Sequence, residues 1–180
     1  MYKLTIGIPT YNRNKILLRT VQRISDQLEE NIELLIIDNN SDIPVSETLD
    51  ITNNKNIRII KNKTNIGGNA NLLRCAEEAQ GEYLWVLGDD DLPTNNAFKY
   101  ILDLLESDKD FLWLNFKSND FINQPIRHQR SKIYTLKFFL QSLSSINELV
   151  FISNNVVKTE LIKQGMYLSL IHISEPTRRS

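Results

Sequence analysis

Gly88-Asp89-Asp90-Asp91 follows directly on the apolar stretch Tyr83-Leu84-Trp85-Val86-Leu87. Adjacent carboxylates at the end of a buried strand repel one another and desolvate badly unless positive charge sits among them. A hard divalent cation with oxygen ligands, Mg2+ or Mn2+, is the natural partner, and it keeps coordination positions that substrate phosphates fill. The ordinary alternative is an acidic loop before a helix, punctuated by Pro93 and Thr94. Side chains alternate along an extended strand, which sends Asp89 and Asp91 to one side and Asp90 to the other. One side would hold the metal and the other would reach a ribose or a basic side chain.

Three further polar segments carry residue types suited to a nucleotide. Pro9-Thr10-Tyr11-Asn12-Arg13 lacks the glycines of a dinucleotide fingerprint and of a P-loop. Tyr11 offers a ring face for stacking on a base, and Thr10 and Asn12 offer hydrogen bonds; the plain reading is a capped helix start. Asp38-Asn39-Asn40-Ser41-Asp42 is either turn chemistry or a carboxylate and amides reading a base edge. Asn65-Ile66-Gly67-Gly68-Asn69 opens a helix, where glycines admit a ligand close to the backbone and the helix N-terminus favours anions. Arg74, further along that helix, either pairs with a carboxylate of the cleft or is solvated. Cys75 lies among apolar residues and reads as core. His128 has no second ligand at metal spacing, and no zinc site follows.

Alternating elements must position these segments. Buried strands are expected at Leu4–Pro9, Ile32–Ile37, Ile57–Ile60, Tyr83–Leu87 and Phe111–Phe116. Helices are expected at Asn14–Leu28, capped by Asn12 or Asn14 and buried through Leu17, Val21, Ile24 and Leu28, and from Ala70, buried through Ala70, Leu73, Ala76 and Ala79 and ending at Gly81. Another is expected after Thr94, which caps it, with Ala97, Ile101, Leu104 and Leu105 inward. Beyond Lys117 the pattern suggests a helix over Thr135–Leu143, a strand over Leu149–Ile152 and a short helix over Lys158–Lys163, ended by Gly165. Strands buried on both faces and separated by helices imply an α/β fold with a mainly parallel central sheet. Ligands of such sheets bind beyond the carboxyl ends of the strands, and all four polar segments fall there.

The chain has 180 residues and a formal net charge of -1. That is enough for one domain with a real core, and the balance gives no reason to bind nucleic acid. A single cysteine rules out an internal disulfide and fits a reducing compartment. No apolar run approaches the roughly 20 residues of a membrane span, and the first residues do not read as a signal peptide. Residues 169–180 do not continue the periodic elements and resemble the translated adapter tails of assembled gene fragments. The expectation is a domain over 1–168 with a non-native tail, the native protein continuing past about residue 168.

As a set, Ile8-Pro9-Thr10-Tyr11-Asn12-Arg13, Leu35-Ile36-Ile37-Asp38-Asn39-Asn40-Ser41, Asn65-Ile66-Gly67-Gly68-Asn69-Ala70-Asn71 and Leu87-Gly88-Asp89-Asp90-Asp91 resemble glycosyltransferase family 2. These are inverting enzymes of the GT-A fold that use nucleotide-diphosphate sugars. The resemblance runs from about residue 3 to 116, the nucleotide-sugar part. Phe151-Ile152-Ser153-Asn154-Asn155-Val156-Val157 is more loosely similar to the family's acceptor-side strand, within an acceptor-side part over 117–168. The resemblance implies that Thr10, Tyr11, Asn12 and Asp38 hold the nucleoside, that Asn65, Gly68, Asn71 and Arg74 line the nucleotide and diphosphate pocket, and that Arg13 and Asn40 also belong to the nucleotide-sugar site. The acidic triplet stands for the family's Asp-x-Asp. Gly88 occupies the place of its usual first Asp, which makes Asp90 the metal ligand, Asp91 next, with Asp89 toward the nucleotide sugar; a one-residue shift instead pairs Asp89 with Asp91.

The implied reaction transfers a sugar to an acceptor hydroxyl, on a saccharide or lipid-linked saccharide, in bacterial surface polysaccharide synthesis. The implied place is the cytoplasm, at or near the inner face of the membrane. The family's base is an Asp or Glu beyond the region of Leu161 to Gly165; Glu175 stands at a plausible distance but within the suspect tail, so the base is expected to be missing. Two rivals remain: a sugar nucleotidyltransferase, which normally has a Gly-rich loop after the first strand, and a non-catalytic nucleotide-sugar-binding domain.

Overall fold

The computed structural model describes residues 1–50, 54–108, 110–114 and 152–174. Apolar runs form strands β1 (Leu4–Thr10), β2 (Ile32–Asp38), β3 (Ile57–Lys61), β4 (Tyr83–Val86), β5 (Phe111–Trp113) and β6 (Asn155–Lys158). Amphipathic segments form helices α1 (Asn14–Ser25), α2 (Val45–Thr48), α3 (Gly68–Glu78), α4 (Ala97–Leu105) and α5 (Thr159–Ser174), and a 3-10 turn at Ile152–Asn154 leads into β6. Among the described residues the strands make one sheet in the order β3-β2-β1-β4-β6-β5. β1 pairs in parallel with β2 and β4, and β2 in parallel with β3. β6 is the reversed strand, antiparallel to β4 on one side and β5 on the other. The expected mainly parallel α/β sheet is therefore present.

Every residue of β2 is buried, as a strand covered on both faces requires. One core layer joins Leu4, Ile6, Ile8, Leu34 and Ile36 of the sheet with Leu17, Val21 and Ile24 of α1 and Phe98, Ile101 and Leu105 of α4. Trp85 meets Phe98 edge to face, with ring centroids 6.0 Å apart. The other layer joins Leu35, Ile37, Leu84 and Val86 with Cys75 and Ala76 of α3, and Ile162 and Met166 of α5 pack against it. Each fully buried aliphatic side chain contributes about 1.5–3 kcal/mol, so these layers rather than helix propensity hold the sheet. Cys75 is core as expected, and burial pushes its thiol up to about 12. A Cβ on Gly7 would lie 2.9 Å from Cys75 Cβ, so the close seat of α3 on β1 depends on the missing side chain.

Several local expectations are corrected. α1 ends at Ser25, and Leu28 packs on the core from the turn beyond it. Neither Asn12 nor Asn14 caps α1; the N-cap is Arg13, without a side-chain cap bond. The buried face of α3 is Asn71, Cys75 and Ala76, whereas Leu73 is exposed. In α4 the inward residues are Phe98, Ile101, Leu102 and Leu105, and its N-cap is Asn96 rather than Thr94. α5 runs through Gly165 instead of stopping there. The helix expected over 135–143 and the strand residues 149–151 lie outside the described residues. Among the described residues no helix is long and apolar enough to cross a membrane.

Candidate functional site

The carboxyl ends of β1, β2, β3 and β4 carry the polar segments, and hydrogen bonds tie their loops together. After β1, the Asn12 side chain and backbone engage the loop after β2. Asn12 N–H donates to Ser41 Oγ at 2.9 Å, Asn12 Nδ2 donates to Asp42 Oδ2 at 3.1 Å, and Asp42 N–H donates back to Asn12 Oδ1 at 2.8 Å. Asn12 and Asn40 both adopt positive φ, a conformation that Asn tolerates better than other residues with a side chain. Asn39 connects the β2 loop to the approach of α3: its Nδ2 donates to Asn65 Oδ1 at 2.9 Å, and its Oδ1 accepts from Ile66 N–H at 3.0 Å. Asn62, just past β3, donates to Asn39 Oδ1 at 3.1 Å and Asn71 Oδ1 at 2.8 Å. The expected convergence of the four segments is thus a feature of the fold.

Several residues expected to contact a ligand instead build the site from behind. Asp38 is completely buried, and its two oxygens accept from Ser41 N–H at 2.8 Å and Val45 N–H at 3.1 Å. It orders the loop and the start of α2 and presents no free carboxylate to a base. Thr10, 3% exposed, donates to Asp89 Oδ2 at 2.8 Å. Asn71 is buried, and its Nδ2 donates to Ile37 O at 3.1 Å. Arg74 pairs with Glu77 at 2.7 Å and Glu78 at 2.8 Å, both on its own helix, and not with a carboxylate of the cleft. Tyr11, Asn40, Asn65, Gly68 and Asp90 remain at least partly open to solvent. Gly67, at φ 84, precedes α3, and a side chain on Gly68 would meet nothing within 4 Å, so the helix start is open.

The acidic segment is a turn, closed by Asp91 N–H donating to Gly88 O at 3.1 Å. The strand alternation expected for its side chains therefore does not apply. Asp89 and Asp90 share one partner: Arg13 Nη1 lies 2.7 Å from Asp89 Oδ1 and Arg13 Nη2 lies 2.7 Å from Asp90 Oδ2. Asp89 is buried and Asp90 is exposed. Thr20 Oγ1 donates to the Asp89 carbonyl at 2.9 Å and pins the turn onto α1. Burial raises the Asp89 carboxyl above its ordinary value, while Thr10 and Arg13 pull the other way. Asp91 turns back, its Oδ2 accepting from Gly88 N–H at 3.2 Å and from Ser153 Oγ.

Two features of this turn bear on whether a divalent cation fits. A Cβ on Gly88 would lie 2.7 Å from Asp91 Oδ2 and 3.2 Å from Asp90 Oδ1, so both carboxylates close over the glycine where a side chain would stand. The guanidinium of Arg13 already neutralises Asp89 and engages Asp90 Oδ2, so a cation at Asp90 would share that carboxylate with it or displace it. Among the described residues no cluster of three or more His, Cys, Asp or Glu could hold a metal by protein ligands alone. A cation here would need oxygens other than the protein's to complete its coordination.

Asn39, Ser41, Asn62 and Ser153 were not singled out by sequence. The first three sit in Asn- and Ser-rich runs where every position has equal turn chemistry. Ser153 is 62 residues from Asp91, so no local spacing could connect them.

Residues 5–157 match the family described as Glycosyl transferase family 2. The chain belongs to that family, and its fold is that of the GT-A glycosyltransferases. A relative is the abequosyltransferase RfbV of Salmonella typhimurium, 35% identical over 112 residues, covering 59% of this chain and 34% of that protein. Among solved structures, Staphylococcus aureus TarS 1-349 in complex with UDP-GlcNAc superposes with TM-score 0.70 at 18% identity, over 91% of this chain and 47% of TarS 1-349. The mannosyltransferase PcManGT of Pyrobaculum calidifontis, in complex with GDP-Man and Mn2+, gives TM-score 0.57 at 18% identity, over 67% of this chain and 37% of that one. The chain thus spans about a third of the curated relative and under half of each solved structure.

Proposed function

We propose that the chain carries the donor site of a metal-assisted glycosyltransferase that moves a sugar from a nucleotide-diphosphate sugar to an acceptor hydroxyl. The observation that carries this reading is the meeting of four strand-end loops at an acidic turn, with Thr10 and Arg13 of the first loop bonded to Asp89 and Asp90 of the turn. Tyr11 stacks on the base, with Asn40 at the nucleoside edge. Asn65, Gly68 and the start of α3 line the diphosphate. Asp90 and Asp91 would hold Mg2+ or Mn2+, which would supply positive charge against the departing diphosphate. Thr10, Asp38, Asn71 and Asp89 keep the loops in place, with Arg13 balancing the acidic turn.

In the reaction the acceptor oxygen forms a bond to the anomeric carbon as the bond to the diphosphate oxygen breaks. The acceptor proton passes to a general base, and nucleoside diphosphate leaves. Binding of UDP-GlcNAc by TarS and of GDP-Man with Mn2+ by PcManGT supports the donor class and the ion. The acceptor class is a saccharide or lipid-linked saccharide of bacterial surface polysaccharide synthesis, handled in the cytoplasm or at the inner membrane face.

Calorimetry with UDP, GDP, dTDP and CDP tests the reading. At least one should bind about tenfold tighter, or more, with Mn2+ than with chelator, a difference of ~1.4 kcal/mol. Asp90→Ala should abolish that gain. Equal affinity for every nucleotide in both conditions would remove the metal role. Loss of the gain in Asp91→Ala but not in Asp90→Ala would move the register to Asp89 and Asp91. Turnover should release nucleoside diphosphate; pyrophosphate would instead identify a nucleotidyltransferase.

A further inference from the structure

Asp91 is held from outside its own turn. Ser153 Oγ donates to Asp91 Oδ2, the same hydroxyl accepts from Gly88 N–H at 3.1 Å, and Gly88 N–H also reaches Asp91 Oδ2 at 3.2 Å. Ser153 is itself fixed, because its carbonyl accepts from Trp85 Nε1 at 2.8 Å and the strand that follows pairs Val156 with Trp85. Trp85 is buried in the core. The chain of contacts therefore runs from the core through Ser153 to one oxygen of Asp91 and leaves the other oxygen of that carboxylate outside these bonds. A carboxylate aimed in advance binds a cation better than one that must be ordered on binding, and the groups that aim such ligands typically matter about ten- to a hundredfold for metal affinity.

We propose that Ser153 is a positioning residue for the cation site: by holding Asp91 Oδ2, its hydroxyl sets Asp91 in the orientation in which its other oxygen, with Asp90, would take a divalent cation. The inference rests on the metal-assisted reading above and adds a residue from the segment before β6 to a site otherwise built from the strand-end loops. It also makes the acidic turn sensitive to the placement of β6.

The test compares the full chain with Ser153→Ala and Ser153→Thr, titrating UDP, GDP, dTDP and CDP by calorimetry with Mn2+ and, separately, with EDTA. Ser153→Ala should lose about tenfold of the Mn2+-dependent gain while keeping the EDTA affinity, and Ser153→Thr should retain the gain. The EDTA affinity is the internal check on folding. A Ser153→Ala gain equal to that of the unaltered chain overturns the assignment, as does a parallel loss in both conditions, which marks a purely structural residue. Loss of the gain in Ser153→Thr as well shows that the hydroxyl is not what matters. Absence of any Mn2+ gain in the unaltered chain removes the metal-assisted reading and this inference together, an outcome distinct from the other three.

Discussion

Arg13 bridges a buried carboxylate and an exposed one, and the two halves of that bridge differ in worth. The Asp90 half is solvent-facing and contributes at most about 1 kcal/mol. The Asp89 half compensates a charge that burial already disfavours. Arg13→Ala should therefore destabilise the fold by roughly 1–2 kcal/mol at pH 7, the value for a buried pair discounted for the exposure of the arginine. The sign of the pH dependence follows from the raised Asp89 pKa. Between the unfolded value near 3.8 and the higher folded value, the native state holds a proton that the unfolded chain has released, so this group's contribution to stability falls as pH rises. Removing Arg13 raises the folded value further, so the penalty should be full at neutral pH and shrink as Asp89 becomes protonated. Urea unfolding of Arg13→Ala from pH 4 to pH 7, with Arg13→Ala/Asp89→Asn as control, measures this. A pH-independent loss, or the same loss in the double variant, would show that Arg13 acts by packing alone.

Among the elements, what could be read from sequence was periodicity, and what could not was contact. The strand runs from Leu4, Ile32 and Tyr83 were legible because a strand buried on both faces is dominated by apolar residues, whereas β3, at the sheet edge, was legible from its isoleucines alone. The four polar segments were legible as strand ends, and they do meet. The inward face of α3 was misread because Asn71 is buried to bond a backbone carbonyl of β2, a use of a polar residue that periodicity assigns to solvent. The acidic segment was misread as strand because its turn is closed by a single backbone hydrogen bond that leaves no mark in composition. Gly165 inside α5 shows how helix docking overrides an unfavourable residue costing about 1 kcal/mol.

The packing of α3 on β1 gives a test at this scale. Gly7→Ala would set a methyl 2.9 Å from Cys75 Cβ and 3.3 Å from Leu84 Cδ1. Overpacking of this kind costs about 1–3 kcal/mol, and relief requires α3 to lift from the sheet. Chemical denaturation should show a loss in that range, with faster labelling of the Cys75 thiol. Unchanged stability with Cys75 still protected would mean that the helix has slack the contacts do not indicate.

For the whole molecule, the reversed strand decides what can stand alone. Among the described residues β5 pairs with β6 alone, and β6 also covers the outer edge of β4. The sheet therefore draws on segments far apart in the chain, residues 4–113 and 155–158. A fragment of residues 1–114 should lose β5 from the sheet and expose the edge of β4, which invites edge-to-edge association. Size-exclusion chromatography and thermal melting should find it aggregating or clearly less stable than the full chain. A monomeric fragment with an unchanged melting temperature would show that the first four strands suffice.

The same strand sets a clock on synthesis. About 70 residues separate the end of β4 from the start of β6. At translation rates of about 5–20 residues per second, β4 spends some 3–14 s with its outer edge bare after it emerges. During that interval the nascent chain already holds its parallel strands but offers an unpaired border to any neighbouring nascent chain. Crowded polysomes and slow codons within this stretch would lengthen the exposure, whereas a chaperone that shields strand edges would matter most there.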